Sequence, residues 1–301
     1  MKLQFLGTGS GMPSKQRNVS GLALVLPKVT WLIDCGEGTQ HQMLYTKVKP
    51  RKVTAVWVTH LHGDHVFGLP GFLSTRSALD GTEPLTVYGP KGLKKWLEAT
   101  LRVTGSHLGY ELNVIEFTDG DTFEQDGHII TVRKLEHRFP SYGFRIQGPE
   151  KPGTLCVDRV RALGIPSGPI YKTIKEEERF EYEGKWYDSK EYVTEPTPGK
   201  VVAILGDTTP CENARILAEG ADLLIHEATF MESEQPLARK YGHSTTREAT
   251  TLAKASAVNQ LIVTHISARY VGREEEFEQE VVSDFPSSIV ATDFLEYTVG
   301  D

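Results

Sequence analysis

Residues 59–65 read Thr-His-Leu-His-Gly-Asp-His, and this segment constrains the fold more than any other part of the chain. Four side chains able to bind a metal ion fall within it: His60, His62, Asp64 and His65. They directly follow the apolar run at residues 53–58, which is typical of a buried strand. Open α/β sheets place their functional sites just past the carboxyl ends of strands. The segment therefore predicts a metal-binding loop in an α/β protein, the alternative being a polar loop that happens to be rich in histidine.

The spacing of these four ligands favours two ions rather than one. A catalytic zinc ion takes about three protein ligands plus water, so one ion would not use all four groups easily. Three further candidates each follow an apolar, strand-like run: His137, Asp207 and His265. Each of them alone could be an ordinary residue at a strand boundary, but several strand ends offering ligands are hard to attribute to chance. The predicted groups are His60, His62 and His137 for one ion, and Asp64, His65 and His265 for the other. Asp207 would bridge the ions, because a carboxylate has two oxygens.

An HxHxDH motif with a later His, a strand-end Asp and a final strand-end His resembles the metallo-β-lactamase superfamily. The resemblance implies an α/β fold, specifically an αββα sandwich, with a dinuclear zinc centre (two Zn²⁺ per subunit) at one sheet edge. Because the superfamily performs many reactions, this likeness alone does not name the substrate.

Other motifs are similar to those of the short form of the ribonuclease Z family, the tRNA 3′-processing endonucleases. They are FLGTGSG at 5–11, PSKQRN at 13–18, GDT at 206–208, HEAT at 226–229, HST at 243–245 and THISAR at 264–269. The segment IPSGPIY at 165–171 resembles the Gly-Pro part of the family's protruding RNA-binding arm. The resemblance implies removal of the 3′ trailer from precursor tRNA, leaving a 3′-hydroxyl on the tRNA and a 5′-phosphate on the trailer. It also implies a homodimer in which the arm of one subunit holds RNA that the other cleaves.

Roles for individual residues follow from the resemblance and the chemistry. Asp64 is expected to bind one metal and to accept a proton from the nucleophile. His243 is the candidate proton donor to the departing ribose 3′-oxygen, held by Glu227; a purely structural pairing of the two is the alternative. The predicted substrate-binding residues are Pro13, Lys15, Arg17, Asn18, Arg269, Gly168, Pro169, Tyr171 and Lys172.

Composition is that of an ordinary globular protein, with 39% hydrophobic and 24% charged residues among 301. No apolar stretch approaches the roughly 18–20 residues of a membrane span, and the first residues do not resemble a signal peptide. The chain has three scattered cysteines, Cys35, Cys156 and Cys211. An odd number of scattered cysteines favours reduced thiols, so we predict a cytoplasmic protein that does not contact a membrane.

The net charge of −7 is unusual for a protein expected to bind RNA. Phosphate affinity normally comes from Lys and Arg, although local patches matter more than the total. Basic clusters occur at Lys47, Lys49, Arg51 and Lys52, and at Lys91, Lys94 and Lys95. We interpret the second of these as a solvated helix face.

Strand-like runs interleaved with helical patterns predict one α/β domain over residues 1–301. Twelve strands are predicted, and five helices at 38–45, 93–103, 211–218, 246–257 and 274–284; a capping box is expected at Thr245 and Glu248. Residues 150–199 interrupt the pattern, being rich in Pro and Gly. We predict that they form an inserted arm that binds tRNA, although residues 151–199 hold eight Lys and Arg against nine Asp and Glu. The alternative is a mobile surface hairpin.

Three other functions use the same metal core. A small-molecule phosphodiesterase, arylsulfatase or lactonase would need neither the PSKQRN loop nor the insertion. A di-iron redox protein of the superfamily would be expected to carry Glu in place of His62. A non-catalytic RNA-binding subunit would have lost ligands, whereas all seven positions are filled here.

Overall fold

The computed structural model describes residues 1–300. The strands in this part are β1 Lys2–Gly7, β2 Gly9–Ser10, β3 Gly21–Val25, β4 Thr30–Cys35, β5 Val53–Trp57, β6 Leu85–Pro90, β7 Leu112–Phe117, β8 Thr122–Gln125, β9 His128–Leu135, β10 Ser141–Gln147, β11 Arg179–Tyr182, β12 Lys185–Asp188, β13 Val201–Leu205, β14 Leu223–Glu227, β15 Gln260–Thr264, β16 Ile266–Ser267, β17 Ser288–Val290 and β18 Glu296–Thr298.

The helices alternate with these strands along most of the chain. They are α1 Thr39–Met43, α2 Gly63–Val66, α3 Leu69–Ala78, α4 Leu93–Val103, α5 Val157–Ala162, α6 Ile170–Glu176, α7 Glu212–Ala218, α8 Gln235–Tyr241, α9 Thr246–Ala255 and α10 Glu274–Asp284. Short 3₁₀ turns lie at Pro50–Lys52, Ser189–Glu191, Glu232–Glu234 and Ala268–Tyr270. None of the helices within residues 1–300 combines the length and the apolar character needed to cross a bilayer.

The chain forms two compact units, one from residues 1–147 with the chain from residue 200 onward, and one from residues 148–199. The first unit contains two seven-stranded sheets, ordered β18-β1-β3-β4-β5-β6-β7 and β17-β15-β14-β13-β10-β9-β8. Successive side chains of a strand point to opposite faces, so Leu223 and Ile225 of β14 enter the core between the sheets while Leu224 packs outside. Helices α1, α3 and α4 cover one outer face, and α7, α9 and α10 cover the other. The first unit is therefore the αββα sandwich that the sequence predicts.

The sheet topology places several strand ends at one edge. Strands β13, β14, β15 and β17 are parallel. Strand β9 runs in the same direction as β13, because both are antiparallel to β10. The residues that follow β9, β13 and β15 therefore emerge on the same side of the second sheet, which is where a shared site can form.

The second unit contains α5, α6 and the antiparallel hairpin of β11 and β12. It has its own small core, whose fully or nearly fully buried members are Val160, Ile165, Ile174, Phe180 and Tyr192. Phe180 stacks on Tyr187 across the hairpin, with ring centroids 5.3 Å apart. The sequence does not predict the two helices, because proline and glycine obscure their short apolar pattern.

All twelve predicted strands are present, but helices α3 and α8 are missing from the prediction. Both have proline in the first turn, at Pro70 and Pro236. Proline is tolerated there because that N–H has no partner within the helix. Proline at these positions is therefore compatible with a helix, and the five predicted helices omit α3 and α8.

The predicted capping box at the start of α9 is confirmed, because Thr245 Oγ1 accepts a hydrogen bond from the Glu248 N–H while the Glu248 side chain accepts one from the Thr245 N–H. We expect Thr245→Ala to lower the free energy of unfolding by about 0.5–2 kcal/mol, since the Glu248 N–H would lose the hydroxyl that accepts its hydrogen bond. Thr245→Ser, which keeps the hydroxyl, should retain most of the stability in urea denaturation. Equal losses in the two variants would show that methyl packing, not the cap, is responsible.

Candidate metal centre

Four strand ends bring the seven predicted ligands together at one edge of the first unit. Four of these residues follow β5, and one each follows β9, β13 and β15. The first group is His60, His62, His137 and Asp207, and the second is Asp64, His65 and His265. Within each group, the candidate ligand atoms all lie within 4.8 Å of one another.

The carboxylate of Asp207 spans both groups. Its Oδ2 lies 3.6 Å from His60 Nε2 in the first group. Its Oδ1 lies 3.5 Å from the Nε2 atoms of both His65 and His265 in the second. The two oxygens thus face different sets of nitrogen donors, as a bridging carboxylate must.

His65 and His265 face each other with their Nε2 atoms 3.2 Å apart. The hydrogen-bond pattern assigns their tautomers. His65 Nδ1 lies 2.7 Å from a carboxylate oxygen of Asp34, which can only accept, so Nδ1 donates. His265 Nδ1 lies 3.0 Å from Thr229 Oγ1, whose own proton goes to Glu227 at 2.8 Å, so His265 Nδ1 also donates. In the neutral rings, both Nε2 atoms therefore direct lone pairs at each other, an arrangement that a shared cation stabilises.

His137 provides a second test of whether a metal fits. Its Nδ1 donates to the carbonyl oxygen of Gly242 at 2.6 Å. Its Nε2 is buried without any hydrogen-bond partner, which costs about 1–3 kcal/mol unless something binds it. Five imidazoles with two carboxylates are a donor set that suits zinc and related divalent ions. The residues present therefore fit a metal, and the centre is metal-binding.

The electrostatics of the centre favour positive charge. Burial lowers the pKa of His65, but Asp207 and Asp34 outweigh it and raise that pKa to about 10. Burial raises the pKa of Asp64, but His265 and His65 outweigh it and hold that pKa well below its usual range. A proton and a divalent cation therefore compete for the same negatively charged surroundings.

Glu227, at the end of β14, forms a buried pair with His243 at the border of the centre. Its Oε1 accepts from His243 Nδ1 at 2.9 Å and from the N–H groups of Thr208 and Ser244, both at 3.1 Å. Burial opposes charge on both members, but their mutual attraction lowers the pKa of Glu227 and raises that of His243. His243 Nδ1 is also 3.8 Å from Asp207 Oδ2, so the pair directly adjoins the predicted ligands.

A cleft of about 550 Å³ opens beside the first group. Its walls contain three of the histidines described above, together with aromatic, hydroxyl and cationic side chains. They are Ser10, His62, His137, Arg138, Phe139, Thr229, Phe230, Tyr241, His243 and Ser267.

The predicted substrate-binding residues of the PSKQRN loop differ in their surroundings. Pro13 and Lys15 are exposed, whereas Arg17 and Asn18 are half-buried. The guanidinium of Arg17 points inward and donates to the carbonyl oxygen of Ala291. It therefore ties the loop to the C-terminal segment, and an RNA contact by Arg17 stays a prediction.

Arg269 lies near the cleft, with its guanidinium carbon 5.2 Å from the centre of the Phe230 ring. It also forms an ion pair with Glu234. Its position beside a wall of the cleft is compatible with the predicted substrate contact, which stays a prediction.

The predicted RNA-binding residues of the second unit lie around the start of α6. Gly168, Pro169 and Lys172 are exposed, and Lys172 Nζ is 3.8 Å from a carboxylate oxygen of Glu176. The hydroxyl of Tyr171 is buried and unpartnered. Exposure leaves the first three available to RNA, while Tyr171 is also part of the packing of this unit.

The basic cluster before β5 does not lie beside the metal centre. Lys47, Lys49 and Lys52 line a separate cleft together with Lys2 and Lys28. This cleft adjoins the first residues of β1, β4 and β5, whereas the centre lies past the carboxyl end of β5. These lysines therefore cannot contact a phosphate held at the centre.

Sequence reasoning missed the residues that orient the histidines. Asp34 is the most important of them, because it binds His65 and also accepts from the N–H and hydroxyl of Thr59 at 2.8 and 2.9 Å. A signal was present: Asp34 follows the apolar residues 31–33, just as Asp207 follows β13.

Comparison with known proteins identifies the family. The chain is 87% identical over 301 residues to "Ribonuclease Z" of Exiguobacterium sp. (strain ATCC BAA-1283 / AT1b), covering 100% of both chains. The chain belongs to the ribonuclease Z family. This confirms the predicted family and enzyme class, a metal-dependent endonuclease. A family model described as "Anti-Pycsar protein Apyc1" matches residues 1–152, which contain the HLHGDH loop but neither Asp207 nor His243.

Solved structures agree with this assignment to ribonuclease Z. The short form of human tRNase Z is similar with a TM-score of 0.73 and 27% identity, covering 100% of both chains. The metallo-β-lactamase fold protein YhfI from Bacillus subtilis has a TM-score of 0.71 at 19% identity, covering 99% of both chains, and supports the fold alone. The predicted metallo-β-lactamase fold is therefore confirmed.

The contact between Asp34 and His65 leads to a prediction about metal affinity. We expect Asp34→Ala to weaken metal binding about 10- to 100-fold, because the ring would lose the acceptor that orients it. Competition with a coloured chelator measures the affinity. Asp126→Ala is a suitable control, since Asp126 is an exposed residue that binds Trp31 and Thr54 at the other end of the strands. Unchanged affinity in Asp34→Ala would contradict the positioning role.

Proposed function

We propose that this chain is a zinc-dependent endoribonuclease that removes the 3′ trailer from precursor tRNA, leaving a 3′-hydroxyl on the tRNA and a 5′-phosphate on the trailer. Membership of the ribonuclease Z family supports this reaction class. The single observation that carries the proposal is the position of Asp207, whose two oxygens face separate sets of histidines with His243 next to them.

Two Zn²⁺ ions per subunit would be held by the two groups of side chains. His60, His62 and His137 would hold the first, and Asp64, His65 and His265 the second, with Asp207 shared between them. When bound, such ions lower the pKa of water towards roughly 7 and polarise phosphate oxygens. Asp64 would also accept the proton of the attacking water, since its carboxylate lies within the second group, with Oδ2 3.3 Å from His265 Nε2.

His243 would protonate the ribose 3′-oxygen as it departs. Glu227 accepts from Nδ1 of this ring at 2.9 Å, which fixes the ring orientation and directs Nε2 away from the pair. Backbone N–H groups at residues 208, 229 and 244 hold the Glu227 carboxylate in turn. A carboxylate fixed by so many donors favours the charged ring over the neutral one.

Precursor tRNA would be bound by residues on both units. Lys15, Arg269 and the other predicted residues of the PSKQRN loop would contact RNA near the cleavage position. The second unit would act as the RNA-binding arm through Gly168, Pro169, Tyr171 and Lys172, by charge and stacking rather than by a basic patch.

The chain is expected to act as a homodimer, with the arm of one subunit serving the centre of the other. Support comes from exposed apolar side chains after α1: Leu44 and Tyr45 are 67% and 66% exposed, and the Tyr45 ring lies 5.8 Å from that of Phe294, which is 40% exposed. Large apolar groups exposed close together are typical of contact surfaces. A cytoplasmic location remains an inference from the three cysteines, which are free in the structure.

Metal removal tests the proposed function. We expect chelation to lower cleavage of a precursor tRNA carrying a 3′ trailer by at least about 100-fold, and added Zn²⁺ to restore it, because the ions supply the activated water. Metal analysis of the active protein should find two zinc ions per chain, and Asp207→Ala should lose both. Full cleavage by metal-free protein would refute the proposal, and cleavage of only small phosphodiesters would favour a small-molecule phosphodiesterase.

Two substrates whose leaving groups differ in their need for a proton can show whether His243 acts as a general acid or has only a structural role. We expect His243→Ala to slow cleavage of precursor tRNA about 10²- to 10⁴-fold, the usual contribution of a general acid. The loss on bis(p-nitrophenyl) phosphate should be much smaller, because nitrophenolate departs without a proton. His107→Ala, an exposed histidine outside the centre, is the control. An equal loss on both substrates would mean that the Glu227 pair is structural.

A further inference from the structure

The cleft beside the first ligand group has aromatic walls that metal binding and proton transfer do not use. Phe139 lies in the loop after β9, and Tyr241 ends α8. Their side chains are 40% and 42% exposed, so each presents ring surface to the cleft. Phe230, which is buried, lies beside Tyr241 with ring centroids 6.5 Å apart and planes 16° apart.

These rings contact the histidines of the centre directly. The Phe139 ring centroid is 5.2 Å from that of His62. The Phe230 centroid is 6.1 Å from that of His243. One aromatic wall therefore adjoins a predicted metal ligand, and the other adjoins the predicted proton donor. A phosphate between His62 and His243 would lie between the two walls.

Cationic side chains surround the same walls. Lys240 Nζ is 5.5 Å from the Tyr241 ring centre, and Arg269 lies over Phe230 at 5.2 Å. Arg138 is exposed on the rim and forms no ion pair within residues 1–300. Aromatic rings edged with cations are the combination that proteins use to bind single-stranded nucleotides, with stacking for the base and charge for the backbone.

We propose that Phe139 and Tyr241 form a binding site for a nucleobase next to the scissile phosphate. The proposal rests on the proposed function, since it presumes that an RNA phosphodiester lies at the centre. A base is joined to that phosphate through a single ribose, which brings it within reach of the walls of this cleft. Stacking tolerates any base, because every base has a π face. The site would therefore position the RNA strand without demanding one nucleotide at the cleavage point.

An abasic substrate isolates the stacking contact. Precursor tRNAs are made with an abasic residue on the 5′ side or on the 3′ side of the cleaved bond, and each is compared with the intact substrate. We expect Phe139→Ala and Tyr241→Ala each to lower kcat/KM about tenfold on the intact RNA. On the abasic RNA that removes the partner base, the same substitutions should have less than about a twofold effect, because the stacking energy is already absent. The abasic RNA on which the substitutions lose their effect identifies the nucleotide whose base stacks on Phe139 and Tyr241.

Matched variants separate stacking from packing. Phe139→Trp should keep most of the activity, whereas Phe139→Leu, which is apolar but has no π face, should lose about as much as alanine. Ile129→Ala, at an exposed apolar residue on β9, is the control for a general surface effect. Zinc content and melting temperature of each variant report whether His62 or the fold has been disturbed.

Fluorescence gives a readout independent of cleavage. A 2-aminopurine placed at the identified nucleotide should be quenched by the metal-loaded protein in stopped flow, before cleavage proceeds. The quench should be lost in Tyr241→Ala and Phe139→Leu. Equal losses of kcat/KM on intact and abasic RNA, or no quench in the unsubstituted protein, would overturn the proposal. If the unsubstituted protein did not cleave the intact precursor at all, the proposed function would fail instead.

Discussion

The repulsion between lone pairs at the edge of the two sheets is the constraint on which the site depends. Five imidazoles and two carboxylates converge there, and the Nε2 atoms of His65 and His265 stand 3.2 Å apart. Such a cluster is unfavourable unless protons or cations lie among its members. The surrounding fold must hold the donors together against this repulsion, and it does so by placing them directly after strands of the sandwich.

Hydrogen bonds behind the ligands provide that rigidity. Asp34 holds His65, and Thr229 holds both His265 and the carboxylate of Glu227. Thr229 therefore joins the second ligand group to the Glu227–His243 pair through one hydroxyl. Because the same hydroxyl contacts both, the orientations of the His265 ring and of the Glu227 carboxylate are coupled, so that a shift of the His265 ring would also shift Glu227.

The clustering of the seven predicted ligands could be anticipated from sequence because they are strand-end residues of recognisable chemistry. The roles of residues that depend on where the side chain points could not be predicted from sequence. The sequence shows a guanidinium at Arg17, but only the structure shows that it points towards Ala291. Asp34 carried the same strand-end signal as Asp207 and was overlooked, because its partner His65 lies 31 residues away in the chain. Helices α3 and α8 were missed since proline in a first turn resembles a loop signal.

The net charge of the chain can be interpreted once the position of the metal centre is known. The chain carries −7, and its lysine-lined cleft lies at the opposite end of the strands from the centre. Asp64, Asp207 and Glu227 would repel a phosphate approaching the centre. Two divalent cations would offset these three charges and that of Asp34, and a protonated His243 would then leave the local field positive. Attraction of an RNA phosphate to this edge would then depend on metal occupancy, which would make substrate affinity as well as chemistry conditional on the ions. An acidic chain with such a centre can bind polyanions there without a basic surface, since the charge that attracts the phosphate is supplied with the metal.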